Sequence, residues 1–85
     1  MSIDGAIIKE QGITFGIIIV KEAVIFSPSR ADKVRGALPD VFQGIPLILA
    51  SQDLRGVFSY QGRPDIVSFL ASIDASRIPW KKYTF

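Results

Sequence analysis

The chain has 85 residues, 48% of them hydrophobic and 21% charged, with a net charge of +2. That length suits one domain, and the composition is that of a folded chain rather than a disordered one. Cysteine and histidine are both absent, which removes thiolate nucleophiles, dithiol redox pairs, disulfides, imidazole bases and Cys/His metal clusters, so no cofactor is implied.

The eight carboxylates are scattered singly along the chain without EF-hand spacing, which leaves only an Asp-based hard-cation site formally open. Residues 1–54 carry five basic and six acidic groups, whereas residues 55–85 carry five basic and two acidic ones. The positive end is therefore the C-terminal third, though it is modest beside the charge of most nucleic-acid binders. The start Met1-Ser2-Ile3-Asp4-Gly5 lacks a basic segment and does not read as a secretory signal, so a cytoplasmic location is expected. The apolar stretch over residues 13–20 is broken by Thr14 and Gly16 and falls far short of the ~20 residues a membrane span needs.

In chain order, residues 3–8 predict a short apolar strand and Glu10-Gln11-Gly12 a reversal. Residues 13–20 predict a strand rich in β-branched side chains, with Ile17, Ile18, Ile19 and Val20 running without alternation as in a strand covered on both faces. Residues 23–26 either continue it or form a separate strand. Ser27-Pro28 or Ser29 with Asp32 opens a helix in which Ala31, Val34 and Leu38 face the core and Arg30, Asp32, Lys33 and Arg35 face water. Pro39 should end it near Leu38, with Val41 and Phe42 packing back.

Residues 45–50 predict the second core strand, 52–56 a turn with Gly56 at positive φ, and Val57, Phe58 and Tyr60 its antiparallel partner. Gly62 and Pro64 end that strand, and Asp65 sits in the first turn of a helix whose Ile66, Phe69, Leu70 and Ile73 share one face. Residues 76–85 form an extended basic–aromatic tail, placed along a sheet edge. The expected fold is one α/β domain over residues 1–85, in β(β)αββα order. A mixed four- to five-stranded sheet carries two helices, with a parallel crossover followed by an antiparallel hairpin.

Residues 43–73 resemble the C-terminal part of the thioredoxin fold. Gly44-Ile45-Pro46-Leu47-Ile48-Leu49 is similar to that family's Gly-Ile-Pro segment, Gly56 to its hairpin glycine, Gly62 to the glycine after the next strand, and residues 66–73 to its final helix. The resemblance implies a cis Ile45–Pro46 bond and a proline edge able to dock an extended partner. The absence of a Cys-X-X-Cys pair means that thioredoxin's redox chemistry does not carry over.

Three groups of residues are candidate sites. Pro46 either docks a strand or only shapes a strand entrance. Arg55 and Arg63, with Asp65, either hold an anion at a helix start or are solvated and ion-paired. Arg77, Trp80, Lys81, Lys82 and Tyr83, with Phe85, either stack and neutralise single-stranded nucleic acid, or meet a protein, or cover the sheet while the lysines point outward. No Ser-X-X-Lys or other nucleophile motif occurs, so an enzyme is not expected. The sequence reading is a non-catalytic protein-interaction module, with a protein partner or a homodimer through a sheet edge or the tail. The alternative is a nucleic-acid or anion binder using Arg55, Arg63, Arg77, Lys81 and Lys82. No membrane contact is expected.

Overall fold

Two apolar clusters, one on each face of a five-stranded sheet, organise the molecule. The structure is a computed structural model that describes all residues except Met1, Gln11, Pro39 and Phe85. Gln11's part in the first reversal, the helix stop expected of Pro39 and the place of Phe85 in the tail therefore lie outside the described residues. Strands β1 (Ser2–Glu10), β2 (Ile13–Ile19), β3 (Leu47–Gln52), β4 (Phe58–Gln61) and β5 (Lys81–Thr84) lie in the order β4-β3-β2-β1-β5. β2 and β3 are parallel and every other pairing is antiparallel. The mixed sheet, the parallel crossover and the terminal hairpin agree with the sequence reading, and the tail pairs with β1 through β5.

The unalternating run of β2 is explained by its central position. Odd-numbered Phe15 and Ile17 point to one face, where Ala6, Ile48 and Ala50 meet Ile66 and Leu70 of helix α3 (Pro64–Ala71) together with Ile78. Ile18 points to the other face, where Leu49 meets Ile25, Ala31, Leu38 and Phe42. Burial on both sides asks for a continuous apolar strand. On the second face the ring of Phe42 lies over two glycines. A Cβ added to Gly16 would come within 2.7 Å of that ring, and one added to Gly5 within 3.3 Å of it and 2.8 Å of the Ile17 carbonyl. Tyr83 of β5 meets Phe42 edge-on at 4.8 Å, tying the last strand to this cluster.

Four expectations need correction. Residues 22–25 are not extended but form a short helix α1 (Glu22–Ile25), giving three helices rather than two. Adjacent residues of a strand point to opposite faces, whereas a helical turn brings both Val24 and Ile25 to the second cluster. The Ile45–Pro46 bond is trans; Gly44, at φ +78°, turns the chain, and the Pro46 carbonyl accepts the Gly16 N–H at 2.9 Å. Val41 is exposed, and only Phe42 packs back from the 3₁₀ turn Asp40–Phe42.

The fourth correction is Arg35 of helix α2 (Pro28–Gly36), which does not face water. It lies one turn beyond buried Ala31 on the same helical face, and its guanidinium donates to the Leu47 carbonyl and to both the carbonyl and side-chain oxygens of Gln61. Partial burial lowers its pKa, with Asp32 acting in the opposite sense. Among the described residues no helix is long and apolar enough to cross a membrane.

Candidate interaction site at the β4 edge

Hydrogen-bond direction alternates along a strand, so the ladder of β3 decides what β4 presents outward. Gly16 and Val20 donate to the carbonyls of Pro46 and Ala50, at 2.9 and 2.7 Å, which turns the even-numbered residues of β3 toward β2. Asp53 N–H donates to Val57 O at 3.0 Å, which turns the odd-numbered ones toward β4. With Ser51 opposite Ser59 and Leu49 opposite Gln61, Ser59 and Gln61 bond inward. Phe58 and Tyr60 therefore direct N–H and C=O to the open edge. Among the described residues no group bonds to these outward pairs.

The hairpin that delivers β4 is set by Asp53, whose Oδ1 accepts the backbone N–H of Arg55 at 2.8 Å and of Val57 at 3.0 Å, with Gly56 at φ +83°. Arg63 and Pro64 end the strand and start α3. Between the two arginines the run 56–62 carries no charge.

Beside this edge lies a cleft of about 660 Å³ between β4, the end of α3 and the 3₁₀ turn Ala75–Arg77. Three aromatic rings line it as a ladder: Phe58 is stacked on Trp80 at 5.9 Å and on Tyr60 at 6.0 Å, each 11° from parallel. Trp80 Nε1 donates to Ala75 O at 3.1 Å, which fixes the indole. Burial pushes the Tyr60 phenol up, so it is a neutral hydroxyl near pH 7. At the rim, Asp74 accepts the Ser76 N–H at 3.0 Å, and mainly through that bond its carboxyl lies below the usual range. The arrangement offers aromatic surface and main-chain hydrogen bonds. A second hollow, about 710 Å³ and almost wholly apolar, lies on the opposite face between Ile3, Val20, Val24 and Leu38. Among the described residues no three carboxylates gather where they could hold a metal ion.

The residues singled out in the sequence are not brought together. Pro46 is half-buried at the entrance to β3, an interior strand, so no open edge lies beside it. Arg55 stands at the hairpin tip, 3.6 Å from Asp53, and Arg63 at the far end of β4, 2.9 Å from Asp65. Arg77 is exposed in the turn after α3. Lys81 and Lys82 are exposed on β5, at the opposite edge of the sheet from β4. Trp80 packs on one face and Tyr83 on the other. Lys81 Nζ lies 5.3 Å from the Tyr83 ring centre, within cation–π range.

The sequence reading does not single out Phe58 and Tyr60 as an open edge. The signal available in the sequence was the uncharged run 56–62, unusual for a strand that ends a sheet. No protein-family model matches the chain, and no curated protein and no solved structure is detectably similar to it.

Proposed function

We propose that this chain is a non-catalytic protein-interaction module that takes an extended segment of a partner onto β4. The observation that carries the reading is the outward N–H and C=O of Phe58 and Tyr60 on an uncharged strand, with the aromatic cleft at its flank. Strand addition uses these two elements: main-chain bonds supply affinity and neighbouring pockets select side chains. The kinship to thioredoxin suggested by residues 43–73 belongs to the same proposal, with the docking edge moved from Pro46 to β4. Nucleic acid is the weaker reading because the five cations lie at the hairpin tip, the α3 start, the turn after α3 and the far edge, whereas phosphate tracking asks for one continuous basic surface.

The test is a resonance-shift titration with a blocked hexapeptide of alternating threonine and valine, a neutral strand former. The expected result is perturbation of the Phe58 and Tyr60 amides with β5 amides unmoved. In a sample whose mass is that of one chain, unmoved β4 amides overturn the reading. So does oligonucleotide binding that falls steeply with salt and is lost in Lys81→Glu/Lys82→Glu.

A further inference from the structure

We infer that the segment β4 accepts is β4 of a second copy, joined antiparallel about a two-fold axis at Ser59. The inference rests on the reading of β4 as the contact edge and adds the partner and the register. An edge strand is ordinarily blunted by charge, proline or a bulge; Phe58-Ser59-Tyr60-Gln61 has none of these within the strand. Placed against itself, it opposes no like charges.

The register follows from the outward groups. In a two-fold antiparallel pair the residues that exchange both hydrogen bonds must be outward-facing ones, here Phe58 and Tyr60. With the axis at Ser59, Phe58 of one copy opposes Tyr60 of the other, and both residues of each strand take part, giving four main-chain bonds. With the axis at Phe58, Tyr60 would have to pair with Gly56, which the hairpin holds at φ +83°. With the axis at Tyr60, Phe58 would have to pair with Gly62, outside the strand. Only the Ser59 register uses the strand as it stands. It also sets Phe58 and Tyr60 on the same face as their counterparts, so the two aromatic ladders meet.

The result is an open ten-stranded sheet whose two-fold symmetry ends the assembly at two copies. Its outer rims are the two β5 strands, each with exposed Lys81 and Lys82. A β5–β5 contact would oppose lysines, and a β4–β5 contact would be head-to-tail and would not close. The isologous β4 contact therefore consumes the uncharged edge and leaves the charged one.

Ser59→Cys tests this directly, because the chain has no other cysteine. Residues at a non-hydrogen-bonded antiparallel pair lie about 4.5 Å apart at Cα, within the range of about 4.4–6.8 Å that a disulfide spans. Expected results are a light-scattering mass of twice 9.3 kDa at high concentration, a covalent dimer of Ser59→Cys on mild oxidation, none from Ser68→Cys on the exposed side of α3, and return to one chain in Ser59→Lys. A wild-type mass of one chain at millimolar concentration overturns the inference, as does a dimer that Ser59→Cys fails to link. The hexapeptide titration then separates the two levels. Shifts at Phe58 and Tyr60 in a monomeric chain leave β4 as an edge for a different protein, and their absence removes both readings.

Discussion

The two rims of the sheet are strands of equal length, four residues each, and they are finished in opposite ways. β5 carries Lys81 and Lys82 and is anchored from beneath by the Tyr83–Phe42 edge contact. β4 carries no charge and is held at its end by the Arg35 guanidinium on Gln61. One rim is guarded by charge and tied down by the Tyr83–Phe42 contact; the other is unguarded and tied down by the Phe58–Trp80 stack together with a polar clamp at its end. The lesson is that an edge strand's neighbours fix its position while its own side chains decide what it admits.

The largest expected effect comes from erasing the charge difference. Lys81→Val/Lys82→Val gives the sheet two unguarded rims, and sedimentation velocity should then show open-ended assembly growing with concentration in place of a finite species. An unchanged mass would break the comparison. Next, Phe42→Ala should lower unfolding stability in urea by about 3–5 kcal/mol, with amide exchange accelerating more in β5 than in β4. Arg35→Met should cost less, about 1–3 kcal/mol, because it leaves the Leu47 and Gln61 carbonyls without their donor, and there exchange should accelerate first in β4. Equal loosening of both rims in either variant would show that they are not secured separately.

The smallest effect concerns the rim of the cleft. Because Asp74 is held below its ordinary pKa by the Ser76 N–H, its contribution is present above the ordinary carboxylate range and is lost as pH falls through the depressed folded value. Asp74→Asn should remove that part of the acid dependence of Tm below the ordinary carboxylate range. A wild-type acid profile in the variant would remove Asp74 from the account.

Periodicity made much of this fold legible. The run Ile17–Val20 announced a strand covered twice, and Ile66, Phe69, Leu70 and Ile73 announced the face of α3, because burial patterns repeat with the geometry of the element. Gly56 marked the hairpin through its backbone requirement. What stayed hidden depends on contacts distant in sequence. Gly5 and Gly16 make room for Phe42, and nothing near either glycine says so. Arg35 has the charge of a surface residue, yet lies on the Ala31 side of its helix and finds carbonyls at the start of β3 and the end of β4. Residues 22–25 are too short for a period, so their helical turn was decided by the cluster they reach. At the site, charge drew attention to five cations that the fold disperses, whereas the open edge was written as a lack of charge over 56–62.

The pairing of β1 with β5 joins Ser2 to Thr84 and Gly5 to Lys81 across nearly the whole chain. Among the strand pairings of the sheet this contact closes the longest loop, and its entropic cost is offset most readily once the intervening elements have condensed. β5 is thus expected to gain amide protection last on refolding and to lose it first, which pulse-labelled exchange at Lys81–Thr84 checks. Without β5 the outer side of β1 would be a bare edge, so the guarded rim also caps the strand behind it.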